Sequence, residues 1–202
     1  MGVTGMWIVT TAADERIRDW RERYAAEIAD AADGVGQALA WWAGLGDEAF
    51  LRPVGAGRWQ RTEAGSAFAD LFWEPADHEL AQEVIAAAEA AGAQGFVSAA
   101  ASKGAPAAAF YHALGAADAA RLPGGFGEFL IAADEAAALL PDLERLLAGA
   151  GRGALVERVG LWLDYGGNGS AAGPSEIVDG VLRVFRRASD QGLGIAAVPM
   201  TF

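Results

Sequence analysis

The sequence predicts an α+β fold on three observations. Runs rich in β-branched and aromatic residues stand near its start, middle and end, at "GMWIVTT" (5–11), "GFVSAA" (95–100) and "GLGIAAVPMTF" (192–202). Amphipathic helical stretches lie between them, and the two kinds of element do not alternate regularly enough for a doubly wound sheet. No low-complexity linker divides the 202 residues, so the expectation is one domain, 1–202, in which a small mixed sheet with strands at both termini packs against several helices.

Each element has a local reason. After the first strand, Thr11 is placed to cap a helix with Asp14 and Glu15 in its first turn, where negative charge suits the free N–H groups. Ile17, Trp20, Tyr24 and Ile28 recur at helical spacing, and Asp14 with Arg18 and Asp19 with Arg23 form i, i+4 pairs on the other side. Gly34 and Gly36 then interrupt the pattern, and "QALAWWAGLG" reads as a second, short helix ending in glycine. Residues 43–66 read as loop with a short strand around Trp59, and "AFADLFW" fits either class. "EPADHELAQEVIAAAEAAG" is a helix with Asp77 as cap, Leu80, Val84 and Ile85 inward and Gly92 as stop.

Further on, "GFVSAA" is a strand and "PAAAFYHALG" a short helix opened by Pro106. "EFLIAADEAAAL" repeats the strand, Ala-Asp-Glu, helix order of "MWIVTTAADERI", a match short enough for chance in an alanine-rich chain. "LVERVGLWLDY" fits both periods: Val159, Leu161 and Leu163 alternate, while Leu155, Val159 and Trp162 form a helical stripe. It is read as a strand with the helix left open. Pro174 and Glu176 open a last helix carried by Ile177, Val181, Leu182, Phe185 and Ala188 and closed by Gly192. Pro199 has no N–H to give a ladder, so the final strand should meet a sheet edge or its own end there.

Composition excludes several chemistries. There is no cysteine, hence no disulfide, thiolate metal site or thiol nucleophile. The formal charge of -12 opposes nucleic-acid binding, which draws its affinity from Lys and Arg on phosphates. Lys103 is the only lysine, a composition read as that of a GC-rich bacterial genome. No apolar run reaches the length of a membrane span and no signal-like segment opens the chain, so a cytoplasmic protein is expected.

Three places carry candidate chemistry. "LDYGGNGSAAGPSEIV" (163–178) resembles a phosphate cradle but has no lysine nearby, puts Ala172 where the spacing wants glycine, and is flanked by Asp164 and Glu176; it reads as a turn. His78 and His112 are the only histidines. Glu74, Asp77, Glu79 and Glu83 around His78 make a cluster able to hold a metal or tune a general base, with Glu74, Asp77 and His78 as the acid/base alternative, although acid in a first turn is ordinary helix chemistry. His112, on an apolar helix, reads as a packing residue. The third place gathers Trp41, Trp42, Phe50, Arg52, Arg58, Trp59, Arg61 and Trp73, residue types enriched at binding hot spots and equally at home as core tryptophans with arginine stems over them.

"MGVTGMWIV", "DGVGQALAWWAGLG" and "FRRASDQGLGIAAV" resemble the opening, an aromatic helix and the ending of the small bacterial YfbM-like family of uncharacterised α+β proteins. The resemblance covers about a third of the chain and implies a fold, not an activity. The Lys, Trp and His of that family's pattern are Gly34, Gly36 and Ala40 here, so no site is carried over. The functional expectation is a non-catalytic binding, immunity-type or adaptor module with a protein partner, no cofactor and no metal. A small-molecule enzyme working near His78 is the alternative, and a purely structural oligomer a third reading.

Overall fold

Strand β1 (Thr4–Ala12) is apolar on both faces because both are covered. Trp7 and Val9 enter one core cluster and Ile8 enters another on the opposite side. The structure, a computed structural model, describes residues 4–45, 50–55, 58–72, 78–102, 105–124, 126–164 and 173–202. Strands β4 (Phe96–Ser102), β5 (Phe129–Ile131) and β6 (Gly194–Thr201) complete a four-stranded sheet in the order β4-β1-β6-β5. Every pairing is antiparallel, so the α+β class holds while the sheet is not mixed. A separate two-stranded hairpin joins β2 (Leu51–Gly55) to β3 (Arg58–Arg61). Residues 43–66 therefore hold a hairpin and a helix start where one short strand was expected.

Nine helices are described: α1 (Asp14–Arg23), α2 (Ala25–Gly44), α3 (Glu63–Asp70), α4 (His78–Ala91), α5 (Pro106–Leu114), α6 (Ala116–Ala119), α7 (Ala133–Ala150), α8 (Arg152–Leu163) and α9 (Pro174–Gln191). Ile17 and Trp20 of α1 and Leu80 and Val84 of α4 cover one sheet face, against Ile8, Leu130 and Val198. Residues of α3, α5, α7, α8 and α9 cover the other, against Trp7, Val97, Ile131 and Ile195. Among the described residues no helix is long and apolar enough to cross a membrane.

Several expectations are corrected. Thr11 does not cap α1: it lies inside β1, and its N–H donates to the Gly95 carbonyl at 2.8 Å. Gly34 and Gly36 do not break α2, because a side chain at either would meet nothing within 4 Å and the helix loses only their propensity, about 1 kcal/mol each. "LVERVGLWLDY" is helical through Leu163, since Leu155, Val159 and Trp162 bury one stripe. "AFADLFW" is largely the end of α3, which Thr62 caps by accepting from the Gly65 N–H at 3.1 Å.

Pro199 sits in β6, a central strand, without cost. Thr4 and Phe202 exchange both backbone bonds, so alternate pairs along β1 and β6 do likewise and the Trp7–Pro199 pair does not. The nitrogen of Pro199 thus faces away from β1, beyond the ladder of β5, which covers only Ile195–Ala197. The edge that the sequence demanded exists locally.

Two polar ties bind the layers. Glu83 of α4 accepts from the buried Trp20 Nε1 at 2.6 Å, Arg23 at 2.8 Å and the Tyr24 hydroxyl at 3.3 Å. Arg23 and Trp20 together hold the Glu83 carboxyl at about 2, well below its ordinary 4.5. The second tie caps α7, whose N-terminal Ala132 offers no side-chain acceptor. Glu135 accepts from Ala132 N at 2.8 Å, and Asp14, from α1, accepts from Ala133 N at 2.7 Å. Arg21 then joins Glu135 and the Leu130 carbonyl. The first Ala-Asp-Glu turn therefore serves the second.

The chain turns at Phe126 and Gly127, both at positive φ (43° and 94°). This turn brings the Gly127 carbonyl to the buried Trp7 Nε1 at 2.8 Å. A Cβ at Gly127 would lie 2.8 Å from the Ala107 Cβ and 3.2 Å from Trp7 Nε1. Gly127→Ala should cost about 2–4 kcal/mol in chemical denaturation, combining left-handed strain with overpacking. Glu83→Ala should cost about 1–3 kcal/mol by leaving the Trp20 N–H unpaired in the core. The stabilisation from ionised Glu83 should be complete above about pH 4.5 and fade as pH falls through about 2, a decline that the variant lacks in an acid unfolding series.

Candidate functional site

The Trp/Arg stretch divides into an inner and an outer part. Residues Trp42, from the last turn of α2, and Phe50, at the start of the hairpin, are buried around Phe68 of α3; the Trp42–Phe68 and Phe50–Phe68 ring centroids lie 4.7 and 5.0 Å apart. Gly65 permits this closeness, since a Cβ there would fall 2.1 Å from the Phe50 carbonyl oxygen. Outside this cluster, Trp41 is 37% exposed and Val54 44%. Arg52 is exposed and bonds Gln60 across the hairpin at 3.2 Å, while Trp59 is half-buried. The side chain of Arg58 and all of Trp73 lie outside the described residues.

The inner part meets His112, which α5 carries to the same place. Its ring centroid is 5.5 Å from Phe50 and 4.9 Å from Trp162 of α8. Trp162 is 0% exposed, and the Arg61 guanidinium lies 5.0 Å from its ring centroid. Thus Trp42, Phe50 and Arg61 of the expected stretch share one cluster with a histidine read as packing. The sequence signal for Trp162 was its helical stripe with Leu155 and Val159. Nothing local marked its meeting with a residue fifty positions earlier.

The cluster is poorly equipped for acid–base catalysis. Burial, reinforced by the charge of Arg158, pushes the His112 imidazole down to about 4, so it is neutral at pH 7. Its Nδ1 has no hydrogen-bond partner, and neither has Trp162 Nε1. Among the described residues no carboxylate acts on the ring, and a base of that strength holds few protons to give near neutrality. Among the described residues, no three His, Asp or Glu side chains gather as a metal site.

The other sequence candidates fare differently. Glu74 and Asp77 lie outside the described residues, and His78 opens α4 with its side chain outside them, so the acid/base alternative acquires no geometry. Residues 165–172 of the glycine-rich loop also lie outside. The loop nevertheless leaves helix α8 and enters helix α9, whereas a phosphate loop of the expected kind follows a strand.

One groove of about 480 Å³ runs along α9 between Gln94, Leu182, Arg183 and Arg187, with Asp179 and Asp190 in its lining. Its charges are largely spent on neighbours: Arg183 bonds Glu176, Arg186 bonds Glu144 and Arg152 bonds Asp179. In comparisons with known proteins, no family model, no curated protein and no solved structure matches this chain.

His112 makes stability pH-dependent with a definite sign. Its folded value lies below the ordinary 6.5, so the unfolded chain takes up the proton first. The stabilisation is whole above about pH 6.5 and declines as pH falls towards 4, by roughly 3 kcal/mol in all. Urea midpoints measured across that window should fall for the wild type and fall less for His112→Phe.

Proposed function

We propose that this protein is a non-catalytic binding module, of the immunity or adaptor kind, whose protein partner meets the β2–β3 hairpin and the end of α2. The observation that carries this reading is where large apolar side chains are left in water. Among the described residues these are Trp41, Val54 and Phe202, and two of the three fall within the Trp/Arg stretch.

The hairpin supports the reading in other ways. Among the described residues it pairs only with itself, which leaves backbone donors and acceptors at its edges for an added strand. Arg52 stands beside Val54, giving a charged rim next to an apolar contact. The charge of -12 argues against nucleic acid as the partner. A cytoplasmic location, the absence of a cofactor and the likeness to the YfbM-like family belong to the same proposal. The enzyme alternative, placed near His78, draws no support from His112, on whose ring no carboxylate of the described residues acts.

A photo-cross-linking side chain placed at Val54, and for comparison at exposed Arg145 on α7, tests this in cells of the protein's source. Position 54 should give a discrete protein adduct that Trp41→Ala suppresses, with a loss of roughly 2 kcal/mol in affinity typical of an interfacial tryptophan. Adducts at position 54 no different from those at 145 would contradict the proposal.

A further inference from the structure

We infer that the groove along α9 is a binding site for a short zwitterionic peptide, separate from the face of the hairpin. Its volume of about 480 Å³ lies in the range of small-ligand sites, about 300–1000 Å³, and its lining is polar save for Leu182. Charge pairing in that lining is complete except at two places. Arg183 bonds Glu176 at 2.8 Å, Arg186 bonds Glu144 at 2.8 Å, and both oxygens of Asp179 accept from Arg152. Among the described residues Arg187 and Asp190 form no ion pair, with each other or with any other group, although opposite charges three residues apart on a helix are spaced to meet. One guanidinium and one carboxylate are thus left over in the same groove.

Unmet donors fix the anionic end of the ligand. Arg183 and Arg187, one turn apart, each keep a buried Nε–H without an acceptor, and a guanidinium can only donate. Buried donors in that state are rare in native proteins, and a carboxylate brings the oxygens that they lack. An anion alone would leave Asp190 opposing it from the same lining. An ammonium on the same ligand removes that opposition and gives Asp190 a partner. Arg187 and Asp190 stand about 4.5 Å apart along the helix axis, a separation that the two ends of a dipeptide, at most about 7 Å apart, can span. The amides of Gln94 and Gln191, also in the lining, offer both donors and acceptors to the peptide group between those ends.

Glycylglycine is the probe, with N-acetylglycine as a carboxylate that lacks the ammonium and glycinamide as an ammonium that lacks the carboxylate. Titration at fixed ionic strength is followed through the backbone amide resonances of α9 and the Nε–H resonances of Arg183 and Arg187. Glycylglycine should move these saturably, and each half-ligand should bind about fivefold more weakly or worse. Arg187→Gln and Asp190→Asn should each weaken glycylglycine by about the same factor. The inference is overturned if the shifts do not saturate, if either half-ligand binds as tightly as the whole, or if Arg187→Gln leaves binding unchanged. It is overturned equally if Asp190→Asn binds glycylglycine as tightly or more tightly, which would mark a site for simple anions. Should Arg187→Gln fail to fold, the half-ligands on the wild type and the exposed Asp190→Asn decide the matter.

Discussion

Everything else in the molecule is arranged around the pairing of β1 with β6, two strands that are buried on both faces. Alternation along β1 sends Trp7 and Val9 into one core and Ile8 into the other, and β6 does the same with Ile195 and Val198. A central pair with no wet face needs helices on both sides, and these supply them from separate parts of the chain: α1 and α4 on one, α3, α5, α7, α8 and α9 on the other. The fixed pairing also sets what touches what at long range. Trp7 reaches the Gly127 carbonyl from β1, and Asp14, two residues past the end of β1, lies at the first turn of α7.

That arrangement leaves little room for polar chemistry inside. Thr10 and Thr11 are the buried polar side chains of the core, and they lie in the central strand itself. Thr10 is turned towards the Thr11 and Gly95 carbonyls. Charged groups are used at the borders between layers, where Glu83 ties α4 to α1 and Arg152 ties α8 to α9. Buried nitrogens without a hydrogen-bond partner include His112 Nδ1 and Trp162 Nε1, with His112 packed on Phe50 at the start of the hairpin, and the Nε atoms of Arg183 and Arg187 on α9.

Much of this order is written locally. Ile17 and Trp20, Leu80 and Val84, and Ile177, Val181, Phe185 and Ala188 all lie inward as their spacing implies, because a single buried stripe fixes a helix whatever it packs on. The element over 152–163 was ambiguous because Val159, Leu161 and Leu163 also alternate, and only burial of Trp162 against Phe68 and His112 decides for the helix. Gly34 and Gly36 misled because their cost is small beside the rest of a twenty-residue helix. Pro199 was legible as an edge, but that the edge would be local to a central strand depends on where β5 stops. The candidate site was legible only in part: residue types marked 41–73, whereas the convergence of Arg61, His112 and Trp162 is a product of tertiary packing. The role of Asp14 as a cap for α7 has the same origin, since it spans 119 positions.

The most direct test of this account is amide hydrogen exchange across the sheet and the hairpin. Ile8, Thr10, Ala196 and Val198 belong to the pairs that bond β1 to β6, so their amides should exchange only on global unfolding and be among the slowest in the chain. Amides of the β2–β3 hairpin should exchange through local opening at a far lower free energy. Hairpin amides as protected as those four, or early exchange within the β1–β6 pair, would contradict the claim that this pair anchors the fold.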